Sequence, residues 1–199
     1  MVDVQAIHPD LHVEQADMQG DQALLTRVAH WARRWCPWTV RDDTDGIVMD
    51  VTGAAHLFGG EPALLRDMGV RFKMQGLTAR LAIAPTRGAA QMLARYGKAS
   101  TICGVDESAA HLAPLPVAAL RIDADTIRLL QRLGLKTIGA LDAVPRVAMM
   151  RRFGKMTEDR NPLILLDRAL GRSADPLNAP ADAQRWLVRA RLPEPVIDP

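Results

Sequence analysis

The stretch Asp45-Gly46-Ile47-Val48-Met49-Asp50-Val51-Thr52-Gly53 is where the fold and the chemistry meet. Ile47, Val48, Met49 and Val51 make a short β-prone run, led in by Arg41-Asp42-Asp43-Thr44 and closed by Gly53. One carboxylate stands at the mouth of this strand (Asp45) and a second inside it (Asp50). A carboxylate in or beside a strand is costly to bury unless it is ion-paired, hydrogen-bonded or metal-bound. Spacing alone leaves two readings open. The first is a turn, because Asp followed by Gly ahead of a strand favours Asx-type turns. The second is a divalent-metal site.

Around that stretch the chain divides by charge. Of 199 residues, 48% are hydrophobic, enough for one sizeable core or two smaller ones. The formal net charge is only +2, yet residues 1–20 carry Asp3, Asp10, Glu14 and Asp17 with no Lys or Arg. Residues 121–172 hold 11 Lys/Arg against 6 Asp/Glu, a net of +5. A basic C-terminal half is compatible with nucleic acid and equally with solvated helices. Cys36 and Cys103 lack C-x-x-C spacing, and the five histidines form no grouping with them. Buried reduced thiols are therefore expected, without a disulfide or zinc site. No basic segment followed by an apolar one opens the chain, and no run approaches about 18 apolar residues. A protein of the cytoplasm is expected, with no membrane partner.

The remaining elements follow from periodicity. Residues 1–20 read as an acidic connecting segment, with Pro9 and Gly20 breaking any helix. A helix is expected from an N-cap at Asp21, with Leu24, Leu25, Val28, Trp31, Ala32 and Trp35 on one face, stopped by Pro37. The spacing of Trp31, Trp35 and Trp38 points to core packing rather than base stacking. Glu61-Pro62 opens a helix with Leu64, Leu65, Met68 and Phe72 inward, ended by Gly76. Leu77–Ala84 reads as a strand with Ala79, Leu81 and Ile83 on one side. Thr86 caps a helix carrying Ala89, Ala90, Leu93 and Ala94. Residues 97–116 read as a linker with a β run at Thr101-Ile102-Cys103, and a domain boundary is placed near Leu112. Residues 117–172 read as four short helices. The first bears Ile127, Leu130 and Leu133, and the second starts at Thr137. The third starts at Pro145 with Val147, Met150 and Phe153 inward, and the fourth runs over Leu163–Leu170. Residues 173–199, with five prolines, read as an extended linker.

Asp45-Gly-Ile-Val-Met-Asp-Val-Thr resembles the palm motif Ser-x-Asp-Glu-(three residues)-Asp-Val-Thr of the Y-family (DinB/UmuC-type) translesion DNA polymerases. The continuation Thr52-Gly-Ala-Ala-His-Leu-Phe-Gly-Gly-Glu61 is similar to the ImuB branch of that family. The likeness covers roughly residues 5 to 195. It implies an α+β fold: a partial ferredoxin-like palm, with an antiparallel or mixed sheet and helices, over residues 21–112. A small helical, helix-hairpin-helix-like thumb would follow over 113–172. The first palm strand, the fingers and the little finger are expected to be absent from this stretch, with residues 1–20 the tail of the fingers.

The resemblance places the family's catalytic Asp at Asp45 and its trailing Asp at Asp50, but the neighbouring catalytic Glu at Gly46. Nucleotidyl transfer on this fold uses two divalent ions held by several carboxylates. Asp45 is the only matching ligand. Asp42 and Asp43 lie close but out of phase for a strand-end ligand. A vestigial Asp45, no bound metal and no Mg-dependent extension are therefore expected. Mg enters only if the chain is instead a piece of an active polymerase. Arg87 falls where the family carries a phosphate-contacting Lys, and Gln91 replaces a second one. The family's glycine-rich thumb hairpin corresponds to Arg121-Ile-Asp-Ala-Asp125, whose two carboxylates oppose a phosphate. Lys136, Arg151, Arg152 and Lys155 remain for loose, salt-sensitive contact with damaged or primer-template DNA. The implied role is a non-catalytic scaffold in translesion synthesis, partnered with ImuA, the sliding clamp and an error-prone C-family polymerase. A helix-hairpin-helix DNA-binding module is the other alternative. No clamp-binding peptide is read in the chain, and Gln184–Val188 matches one poorly.

Overall fold

The computed structural model describes residues 14–177. Its first helix, α1 (Met18–Ala32), starts before Asp21, because Asp17 is the N-cap and its carboxylate accepts the Gly20 N–H at 2.8 Å. Gly20 thus supplies one of the orphan amides of the first turn instead of breaking the helix. The reading of residues 1–20 as wholly non-helical is corrected over its last three positions; residues 1–13 lie outside the described region.

The lead-in to the Asp45 stretch is itself a strand. β1 (Thr39–Asp42) pairs antiparallel with β2 (Gly46–Met49), with Thr39 opposite Met49 and Asp42 opposite Gly46. Asp43 turns the hairpin in the left-handed conformation at φ 56°, which short polar side chains tolerate best after glycine. Asp50 sits one residue beyond β2 and is exposed; its carboxylate accepts the Thr52 N–H at 3.1 Å. It makes a turn, and the reading that put it inside the strand is corrected.

A 3-10 turn (Ala55–Phe58) and Gly59-Gly60, at φ 84° and 95°, lead into α2 (Glu61–Met74) with Pro62 in its first turn. Leu64, Leu65, Met68 and Phe72 are buried, as their spacing predicts. The expected strand over 77–84 shrinks to β3 (Ala82–Ile83), parallel to β4 (Thr101–Ile102). The reason is that this segment lies between two cores: Leu77 and Leu81 pack toward one, Ala82 and Ala84 toward the other. α3 (Arg87–Tyr96) follows, with the Thr86 hydroxyl oxygen accepting the Ala89 N–H at 3.1 Å.

The stretch read as a linker contains α4 (Ser108–Leu112). Leu112 and its neighbours are apolar at a helical spacing too short to register on periodicity. A 3-10 turn (Val117–Leu120) then leads to α5 (Ala124–Arg132), α6 (Ile138–Asp142), α7 (Arg146–Phe153) and α8 (Pro162–Ala169). Asp123, Thr137 and Asn161 cap α5, α6 and α8 through their side chains. α7 is rotated from its expected face. Met149 and Phe153, one turn apart, are buried, while Val147 and Met150 stand 70% and 56% exposed.

Two cores result. The smaller joins Ala32 and Trp35 of the α1 end to Leu64, Met68 and Phe72 of α2, with Ile47 and Met49 against it. Trp31 meets Trp35 edge-on at 4.9 Å between ring centroids, and Phe72 completes the group. Trp38 is 49% exposed, so core packing holds for two of the three tryptophans. The larger core combines Ala89, Met92 and Leu93 of α3 with Leu112, Leu130, Leu141, Phe153 and Leu166. It runs continuously across residue 112.

Candidate functional site: the Asp42 arginine cluster

The hairpin turn places three carboxylates, Asp42, Asp43 and Asp45, within four residues. Three arginines converge on them. Asp42 is the centre, with a side chain only 5% exposed. Its Oδ1 accepts from Arg87 at 3.2 Å, and its Oδ2 accepts from Arg121 at 2.7 Å and lies 3.5 Å from Arg95. Arg95 also donates to Asp45, through Nη2 at 2.6 Å and Nε at 3.3 Å. Arg121 pairs in addition with Asp43. Three negative and three positive charges therefore cancel locally.

Two structural reasons bring the arginines to the site. Arg87 and Arg95 are two turns apart on α3 and so share the face toward the hairpin. Arg121 ends the Val117–Leu120 turn in the left-handed conformation, φ 58°. That backbone, uncommon for a long side chain, swings the guanidinium back across the fold. The Arg95 hydrogen bond holds the Asp45 carboxyl below its ordinary range, helped by the charges of Arg95 and Arg121. Burial acts against the Arg95 cation, but the Asp45 hydrogen bond and the two nearby carboxylates outweigh it and raise its pKa.

Gly46 lies at the centre of this arrangement. A Cβ built on it would stand 3.1 Å from Arg95 Nη2 and 3.4 Å from the Asp42 carbonyl oxygen. The direction a side chain on residue 46 would take is thus filled by a guanidinium. On a single strand Asp42 is out of phase with Asp45. Because the chain doubles back at Asp43, Asp42 instead faces Gly46 across the hairpin. The carboxylates of this turn are paired with arginines, whereas a two-ion magnesium site needs free oxygens in octahedral geometry.

Of the cations singled out from sequence, Arg87 is in this cluster. Lys136, Arg151, Arg152 and Lys155 are exposed on the helical part and form no ion pair among the described residues. Sequence reading missed Asp42, Arg95 and Arg121. The eight-residue spacing of Arg87 and Arg95 on one helix face was a usable signal; the reach of Arg121 was not.

The cluster borders an open cleft of about 1390 Å³ between the β1–β2 hairpin and the 77–87 segment. Val28 of α1, Met68 of α2 and Leu81 line its apolar side, and Asp45, Arg87 and Arg95 its polar side. No helix among the described residues is long and apolar enough to cross a membrane.

No family model matches the chain. In sequence it is 39% identical to Protein ImuB of Caulobacter vibrioides in two strains, NA1000 / CB15N and ATCC 19089 / CIP 103742 / CB 15, over 197 residues and 99% of this chain. The chain spans 42% of the length of those relatives. In structure it superimposes on DinB from Sulfolobus solfataricus with a TM-score of 0.70 at 16% identity, covering 89% of this chain and 52% of that one. A Dbh ternary complex gives 0.69 at 17% identity, covering 89% and 53%. The chain is similar to Protein ImuB along nearly its whole length, and its α+β fold is that of DinB and Dbh.

Proposed function

We propose that this chain, ImuB-like in sequence and polymerase-like in fold, is a non-catalytic part of an accessory protein in DNA repair by error-prone translesion synthesis. The arginine cluster on Asp42, Asp43 and Asp45 is the observation that carries this reading. Phosphoryl transfer on such a palm uses carboxylates as ligands for cations, and here covalently attached cations pair with Asp45, the one matching ligand, and with its neighbours Asp42 and Asp43. Gly46 offers no further acid, and Arg95 fills the space beside it. The role left to the fold is positional: a scaffold on which a sliding clamp, ImuA and an error-prone C-family polymerase assemble at damaged primer-template DNA.

Primer extension is the test. The purified chain is expected to add no template-directed nucleotide with Mg²⁺ or Mn²⁺, and Gly46→Glu is expected not to change that. Incorporation by either protein overturns the non-catalytic reading. Co-purification with a C-family polymerase from the same genome tests the scaffold role, and a complex that forms equally well without this chain defeats it.

The exposed set Lys136, Arg151, Arg152 and Lys155 favours a second, weaker activity, salt-sensitive contact with DNA through the helical part. Asp123 and Asp125 at the start of α5 oppose a tight phosphate grip there.

A further inference from the structure

We propose that Cys103, Glu107 and His111 form a binding site for a thiophilic divalent transition-metal ion of the zinc class. In sequence these residues are spaced by fours, and the fold turns that spacing into a cluster. Cys103 extends the β3–β4 pairing, its N–H donating to the Ile83 carbonyl at 2.9 Å. The chain turns at Gly104, and Glu107 is the N-cap residue of α4. His111 lies one turn further on, its N–H donating to the Glu107 carbonyl at 3.0 Å, so the two side chains share a face. The sulfur, a carboxylate oxygen and an imidazole nitrogen all lie within 4.8 Å of one another.

A tetrahedral zinc ion with bonds of about 2.0–2.3 Å brings its donors to roughly 3.3–3.7 Å from one another. The necessary movement falls on the two exposed ligands. Cys103 is 4% exposed, whereas Glu107 and His111 are on the surface. The Glu107 carboxylate is already drawn toward the strand end, where its Oε2 accepts the Gly104 N–H at 3.1 Å. Ser108, whose hydroxyl donates to the Gly104 carbonyl at 3.1 Å, lies 3.7 Å from the sulfur. These contacts form the outer shell that a metal site needs to hold its ligands in place.

The donor set decides the ion. A thiolate with an imidazole selects zinc, cobalt or nickel over magnesium and calcium, which take oxygen ligands. Thiolate plus carboxylate carry two negative charges, balanced by one dication. Three protein ligands leave a fourth position for water or a further ligand. The site uses none of the Asp42 cluster. Sequence reading expected no zinc because Cys103 and His111 stand eight apart, and the third donor is a glutamate.

Cobalt(II) titration of the reduced full chain tests this. One equivalent is expected to give a near-ultraviolet thiolate-to-cobalt charge-transfer band with visible bands of tetrahedral cobalt, both removed by added Zn²⁺. Cys103→Ser is expected to abolish the charge-transfer band. His111→Ala and Glu107→Gln alter exposed side chains that leave the fold intact, and each is expected to weaken apparent affinity at least about tenfold. Cys36, buried beside the Asp50 carbonyl, is the other thiol, and His8 and His12 stand four apart outside the described residues. Cys36→Ala and a His8→Ala/His12→Ala double variant are therefore expected to keep the band. Absence of the band in the unaltered protein overturns the site. So does its survival in Cys103→Ser, its loss in the His8/His12 variant, or unchanged affinity in both His111→Ala and Glu107→Gln.

Discussion

Arg121 donates to Asp42 at 2.7 Å across 79 residues of sequence, tying the turn before α5 to the end of β1. This contact joins the helical part to the hairpin, and its partners are unequal in burial: the Asp42 side chain is 5% exposed and that of Arg121 25%. The buried member is the one whose loss leaves charges uncompensated.

Asp42→Ala is accordingly expected to destabilise the chain by about 3 kcal/mol, near the low end for breaking a buried pair because the arginines are partly solvated. Arg121→Ala should cost less, since Arg87 and Arg95 still neutralise Asp42. A double-mutant cycle in denaturant would read a coupling of about 1–2 kcal/mol between the two. Additive effects would mean the contact contributes nothing to folding.

Stability should fall in acid partly through Asp45 and Asp142. Hydrogen bonds from Arg95 and Arg172 respectively hold these carboxyls below their ordinary range. A group with a depressed folded pKa stabilises the fold above its unfolded pKa and loses that contribution as pH drops through the folded value. The loss therefore begins below about pH 5 and completes below the depressed values. The variant Asp45→Asn/Asp142→Asn should show a flatter denaturation midpoint over that range than the parent. Identical pH profiles would remove both groups from the account.

Gly88→Val should destabilise by roughly 1–3 kcal/mol through overpacking. A Cβ at this position would lie 3.0 Å from the Ala169 Cα and 3.1 Å from its Cβ, so α3 and α8 touch there without side-chain room. A thermal midpoint equal to the parent's would show that the two helices separate freely.

Asn161→Ala should cost about 1–3 kcal/mol, combining a lost cap with an unsatisfied buried carbonyl. Asn161 is 3% exposed, donates to the Phe153 carbonyl at 2.9 Å and accepts the Leu163 N–H at 3.0 Å. Its Asp counterpart keeps the acceptor and loses the donor, so Asn161→Asp should also destabilise.

DNA binding by the helical part, if carried by Lys136, Arg151, Arg152 and Lys155, has a bounded salt dependence. Four phosphate contacts give a slope of log affinity on log salt of about −3.6 on duplex DNA. Replacing all four by Gln should bring the slope toward zero in a gel-shift series. An unaltered slope would move the contact elsewhere.

Much of the fold was legible because helices announce themselves. The Leu64, Leu65, Met68, Phe72 stripe and the caps Thr86, Asp123 and Thr137 each follow from local chemistry. The strands were harder: the run read at 101–103 matches β4, but the strand read over 77–84 shrinks to two residues and β1 was read only as a lead-in. The site was read in part, at Asp45, Gly46 and Arg87. Asp45 and Gly46 carry a recognisable phrase, but Asp42 looked like a lead-in until the hairpin doubled back. Arg121 is fixed by a left-handed turn, a tertiary fact with no local pattern. Cys103, Glu107 and His111 come together only because a strand end meets a helix of five residues.

The arginines around Asp42 are part of the polypeptide, so their charge cannot be dialysed away. A chelator that strips an ordinary palm of its ions is expected to leave this end of the molecule as it was. On the non-catalytic reading proposed above, the hairpin's shape is expected not to track the divalent-ion concentration of its surroundings.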